Sequence, residues 1–359
     1  MSQTCVYVAN AADGDIAAFS MQPDGTLRPG ARVKAGDVVG PLAASPDRRF
    51  LYAAVRSKPF SVHAYAIDPA TGALAPLAVS PLAESFPYIS LDKTGRYLFG
   101  ASYHANLVSV NAVGADGRVA AAPLQVIPVG RNAHSIRTDE SNRFVYVPTL
   151  GSDQMFQFAF DAKSGRLASN TPAIAQMQAG TGPRHFVTSA DNRFMYVLSE
   201  LLATVTTFAL DANTGLLSEI GSASGLPPDT RLVPGAPRVA AGAPSAAPPR
   251  KRDNDIWAAD IHLTPDGRFL YISERTGSTL GAFSVDAASG KLTFLGSTPT
   301  ESQPRGFAIA PNGRFLVACG ERSETISVYA IEQASGALSL LQKYPGGKGA
   351  NWVEIVSFG

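Results

Sequence analysis

Three features of this sequence predict an all-β chain folded as a seven-bladed β-propeller. One phrase returns six times, its spacing suits a four-stranded unit, and the two chain ends complete each other.

The phrase reads "SPDRRFLYAAVR", "DKTGRYLFGASY", "DESNRFVYVPTL", "SADNRFMYVLSE", "TPDGRFLYISER" and "APNGRFLVACGE". Its anchor aromatic falls at Phe50, Tyr97, Phe144, Phe194, Phe269 and Phe315, in steps of 47, 47, 50, 75 and 46 residues. Around each anchor a short apolar strand precedes a turn of D-G or D-N type, and an F-L-Y-type strand follows it. A third, alternating strand comes next, such as "SVHAYAID" or "TVTTFALD". A turn such as "DPATGAL" or "DAASGKL" then leads into a less regular fourth strand. Four antiparallel strands in roughly 45 residues make one propeller blade.

The ends supply the remaining blade. "TCVYVANAADGDIAAFSMQPDGTL" lacks a first strand, and "GANWVEIVS" is a first strand with nothing after it. Joining them closes the ring and removes two open sheet edges. Unrelated hairpins would explain neither the spacing nor the complementary ends. Residues 1–359 therefore read as a single propeller domain with four-stranded antiparallel blades.

The 75-residue step holds an insertion of roughly 28 residues at about 223–252. Its Pro, Ala and Gly content cannot build a core, so it reads as a loop or flap between blades, with "RKR" at 250–252 read as solvated charge ahead of the alternative, a contact to an anionic ligand.

Bulk composition narrows the function. Hydrophobic residues at 45% and charged residues at 16% describe a folded chain. A net charge of +1 argues against a nucleic-acid or anionic-membrane partner. No apolar run approaches the roughly 20 residues that span a bilayer. "MSQTCVYVAN" lacks the basic and apolar regions of a leader, so a cytoplasmic location is expected. Cys5 and Cys319 read as two buried reduced thiols. The expected state is a monomer or weak homo-oligomer.

The repeat register gathers a site. With the hairpin turn centred two residues before each anchor, the residue ten before it pairs with the one six after. Those positions hold Gly40, Pro87, His134, Arg184, Ala259 and Arg305, opposite Arg56, Tyr103, Leu150, Glu200, Arg275 and Glu321. The first strand of a blade lines the central channel, so these side chains converge on one channel mouth. His185, Asp260, His104 and Trp257 are their neighbours. Arg184 and Glu200 could be a plain hairpin ion pair, and His262 reads as a core hydrogen-bonder. A convergent set of charges near a channel, however, costs desolvation energy unless paired or liganded. Arginine richness suits planar oxyanions held bidentately.

Other chemistries lack their signatures. The histidines lack zinc-site spacing, and G-x-S-x-G, a placed GxGxxG and a P-loop are absent, so no metal or cofactor is expected. An anion pocket with His and Glu available for proton transfer suits opening or closing a lactone on an acidic small molecule.

"GTGPRHFV", "SELLATV", "WAADIHLTPDGRFLYISERT", "PTESQPRGFAIAPNGRFLVACGERSETISVYAIE" and "GANWVEI" resemble the seven-bladed propeller lactonase family along essentially the whole chain. The likeness is strongest to its bacterial 6-phosphogluconolactonases. The resemblance implies hydrolysis of an anionic sugar δ-lactone without a redox cofactor, within glucose metabolism through the pentose phosphate pathway. Related fungal enzymes cyclise a carboxylated muconate. Their working set maps onto His134, Arg184, Glu200 and Arg275, leaving Glu200 or His134 as base. Arg184, Arg275 and Arg305 would hold the anion and polarise the carbonyl, with His185 and Asp260 orienting. Arg56, Tyr103 and Trp257 complete the expected substrate-binding set. The insertion departs from the family pattern, in which this connection is much shorter. Lactones of sugar diacids or of unphosphorylated aldonic acids are the competing substrates. A protein-binding propeller scaffold is the non-enzyme alternative, although the paired "GH…WD" signature of such repeats is missing.

Overall fold

The computed structural model describes residues 3–238 and 253–358, and every regular element among them is a β-strand. The strands form seven four-stranded antiparallel sheets. In the closing blade the C-terminal strand Ala350–Phe358 pairs with Gln3–Asn10, followed outward by Asp15–Met21 and Leu27–Lys34. The ring is thereby closed as the complementary ends predict.

The recurring aromatic and the recurring glycine explain each other. The Phe50 ring packs under Gly117 in the outer turn of the next blade, and Tyr52 donates its hydroxyl proton to the Gly117 carbonyl at 3.0 Å. Tyr146 and Tyr271 make the same bond to Gly215 and Gly336, each 2.7 Å long. Gly117 has φ +81°, and a Cβ there would lie 2.5 Å from the Phe50 ring. In the closing blade Cys5 takes the anchor slot beneath Gly72, which accounts for one buried free thiol. Gly117→Ala combines left-handed backbone strain with overpacking of an inter-blade contact. It should cost about 3 kcal/mol in urea unfolding, and a cost under about 0.5 kcal/mol would contradict the lock.

The hairpin register differs from the sequence reading. Ser45 N donates to Phe50 O across a turn of four residues, so the turn centres between residues rather than on one. That shifts every pairing by one. The innermost strands of four blades then bulge before the channel mouth, between Pro183 and His185, between Ala258 and Ile261, between Val39 and Leu42, and between Ala350 and Trp352. A bulge adds a further residue to one side. Glu200 therefore bonds through its backbone to Gly182, not to Arg184, while Pro183 faces Ser199 and His185 faces Leu198. Arg184 is the extra residue of the bulge, and its side chain turns into the protein.

Of the insertion, residues 239–252 and the "RKR" segment lie outside the described residues. Its start is anchored. Val233 bridges Asp255 in parallel, and Gly235 N donates to Leu201 O at 2.8 Å.

Candidate active site

The seven innermost strands enclose a channel, and one end of it opens into a cavity of about 250 Å³. Arg56, Pro87, Tyr103, His104, His134, Glu200, Trp257, Arg275 and Arg305 line it. Nine residues from six repeats thus meet at this mouth. Arg238 from the insertion lines it too.

Glu200 sits at the centre, 3% exposed. Its Oε2 accepts from Arg184 Nε at 2.8 Å and from Arg275 Nη2 at 3.1 Å. Both guanidinium groups are held from behind. Arg275 also donates to the Trp257 and Ala258 carbonyls and stacks on the Trp257 indole, 3.7 Å from its centroid. Arg184 is fully buried and donates through Nη1 to the Ala259 carbonyl and to His185 Nε2. Its Nη2 is buried with no partner among the described residues.

The Arg184 contact fixes the state of His185. Arginine only donates, so His185 Nε2 accepts and the ring proton resides on Nδ1, which donates to Asp260 Oδ1 at 2.8 Å. Asp260 Oδ2 meets His262 Nε2 at 3.2 Å. Burial pushes the Asp260 carboxyl upward, but the adjacent His262 and His185 outweigh it and hold the group well below the usual carboxylate range. His185 and Asp260 do not line the mouth cavity. They face a second cavity of about 330 Å³ deeper in the channel, with His262, Arg137 and Glu354. The structure thus places these two expected substrate contacts behind Arg184, where they orient it. His262 is bonded to Asp260 as a core partner would be, yet it also reaches this deeper cavity.

His134 is 5% exposed, edge-on to Tyr103 and 5.1 Å from the His185 ring centroid. Burial first, then Arg184, hold its pKa well below the ordinary 6.5, so it is a neutral imidazole at physiological pH. Its Nδ1 is buried without a partner. Arg305 Nε stands 3.9 Å from Glu321, and Arg56 Nε donates to Ser85 at 3.4 Å. Burial, then Arg305, lower Arg56 to about 10, which leaves it charged. Leu150 packs in an apolar cluster with Tyr103 and Leu201, and Gly40 and Ala259 bring no functional group to the cavity.

Sequence reasoning missed Arg238. It lies in no repeat, and a lone arginine before a Pro/Ala-rich run gives no positional signal. Tyr103, whose hydroxyl donates to the Arg238 carbonyl at 3.0 Å, links it to the mouth.

The buried histidines have a measurable consequence. Burial, then Arg184, push His185 down to about 3 from 6.5. Between those values the unfolded chain binds a proton that the folded chain refuses. Stability is full above pH 6.5 and falls as pH drops, by about 1.4 kcal/mol per unit for this residue. His134 adds to the slope. Glu354, whose carboxyl burial raises to about 7 from 4.5, favours the folded state as pH falls through that interval and subtracts from it. Urea unfolding at pH 7.5, 6 and 5 should show the decline, and His185→Asn should flatten it. An unchanged slope in that variant would contradict the assignment.

A carboxylate between two buried arginines, beside a neutral histidine, thus lies at the channel mouth of a seven-bladed propeller. The chain belongs to the lactonase, 7-bladed beta-propeller family, which it matches over residues 5–355. It is similar to the 6-phosphogluconolactonase of Serratia proteamaculans, at 38% identity over 98% of both chains. The 6-phosphogluconolactonase of Pectobacterium carotovorum matches at 36% over 99% of both. Among solved structures, the periplasmic gluconolactonase of Pseudomonas aeruginosa superposes with a TM-score of 0.84, at 27% identity and full coverage of both chains.

Proposed function

We propose that this enzyme hydrolyses 6-phospho-D-glucono-1,5-lactone to 6-phosphogluconate. The observation that carries the reading is Glu200 and Arg275 in a cavity lined by further arginines and a neutral His134, with Arg184 buried behind them and bonded to Glu200. Full-length relatives named 6-phosphogluconolactonase support the choice of lactone.

Glu200 Oε1 takes a proton from water while the water oxygen bonds to the lactone carbonyl carbon. Charge moves onto the carbonyl oxygen, where the guanidinium groups stabilise the tetrahedral oxyanion. Collapse breaks the bond to the ring oxygen, which recovers the proton as the C5 hydroxyl, and the new carboxylic acid ionises. His134 holds the water or the departing oxygen as a neutral hydrogen-bonding partner.

A phosphorylated lactone does not cross a bilayer unaided, so a cytoplasmic location goes with this reading. Proton release should be followed with 6-phosphoglucono-, glucono- and glucaro-1,5-lactones, each against its spontaneous rate. Preference for the phosphorylated lactone supports the proposal. Higher kcat/KM on either of the others would replace it, and inactivity on all three would favour a scaffold or a cyclase.

A further inference from the structure

We propose that Arg238, carried by the insertion, is a specificity-determining residue for the substrate's distal anionic group. The inference rests on the lactonase reading above and adds a residue outside the seven repeats.

The placement of Arg238 is built from two sides. Its guanidinium carbon lies 3.4 Å from the Trp257 ring centroid, and that of Arg275 lies 3.7 Å from the same centroid. Two guanidinium groups that close to one centroid fit only on opposite faces, so Trp257 is sandwiched between them. Its backbone is held as well, because the Tyr103 hydroxyl donates to the Arg238 carbonyl at 3.0 Å. The chain just before it is tied by the bridge between Val233 and Asp255 and by Gly235 to Leu201. An arginine on an unanchored loop would lose much of its worth to ordering entropy, whereas this one is held beforehand.

Trp257 also sets a division of labour. Arg275, on its inner face, bonds Glu200 and belongs to the reacting end. Arg238, on the outer face, lines the same cavity. Burial first, with small contributions from Arg305 and then Arg238, lowers Arg275 to about 10, so the two charges flanking Trp257 sense each other. Together with Arg56 and Arg305, four arginines line the cavity against one carboxylate, Glu200, among the described residues. An excess of that kind fits a doubly charged phosphoryl ester better than a neutral hydroxymethyl group. With the lactone carbon at Glu200, the far end of a six-carbon substrate lies towards Arg238.

The test compares wild type, Arg238→Ala and Arg238→Lys on 6-phosphoglucono-1,5-lactone and on glucono-1,5-lactone, with inorganic phosphate as competitive inhibitor. For Arg238→Ala, KM on the phosphorylated lactone should rise about twentyfold and the phosphate inhibition constant about tenfold. The kcat should stay within about twofold, as should kcat/KM on the unphosphorylated lactone, since neither depends on a distal anion. Arg238→Lys should recover part of the lost affinity. Equal losses on both lactones, or no loss on either, would overturn the inference. Melting curves of both variants separate a folding defect from a binding one. If wild type itself hydrolyses neither lactone, the lactonase reading fails; if wild type is active and Arg238→Ala keeps its preference, only this inference fails.

Discussion

Glu200→Gln should lower kcat on the preferred lactone by about a thousandfold while changing KM little. The amide keeps the shape of the carboxylate, so it isolates the loss of a proton acceptor at Oε1. It also removes the negative charge that lies between two buried guanidinium groups, at 2.8 Å and 3.1 Å. Deleting one partner of a buried ion cluster leaves uncompensated charge, so the variant should unfold about 3 kcal/mol more easily. The two effects separate cleanly. Stopped-flow proton release on folded variant, checked by circular dichroism, reads the catalytic loss, and urea unfolding reads the structural one. A folded Glu200→Gln with full activity would remove Glu200 from the chemistry; if His134→Ala were also fully active, the whole mechanism would fall.

Arg184→Ala should be the most destabilising single change in the site, by about 4 kcal/mol. The side chain is fully buried and serves Glu200, His185 and the Ala259 carbonyl at once. Truncation leaves a cavity, a carboxylate with one guanidinium instead of two, and an imidazole nitrogen without its donor. On the proposed mechanism, whatever folds should have lost about a hundredfold or more in kcat/KM, because a proposed oxyanion partner is gone. Arg184→Lys restores a charge but not the fork, so it should recover stability more than activity. Equal recovery of both would mean that Arg184 acts only as a counter-ion.

The propeller was legible because each repeat states the same inter-blade lock, an aromatic followed a blade later by a turn glycine. The site was legible for a related reason. Its residues come from equivalent slots, so His134, Glu200, Arg275 and Arg305 could be assembled from spacing alone. The pairing was not. A four-residue turn and a bulge at Arg184 each displaced the register by one, and the two shifts together returned the side chains to the same mouth. Bulges have no sequence signal strong enough to place from one chain. The depth of His185 and Asp260 was hidden for the same reason, since the bulges send them below the mouth. Arg238 was out of reach because only tertiary contacts with Tyr103 and Trp257 position it.

The closing blade has a consequence for the order in which this protein forms. Gln3–Asn10 cannot find its inner neighbour until Ala350–Phe358 has left the ribosome. Contacts of such separation in sequence are the slowest to form, so five or six blades can assemble while the ring stays open. The last strand also brings Trp352, which stands 6.1 Å from the His185 ring and 5.4 Å from Tyr88. The support beneath Arg184 is therefore finished in the same event that shuts the circle. A nascent chain released about ten residues early would carry nearly every blade, yet hold a loosened Arg184 and an exposed strand edge ready to pair with another chain.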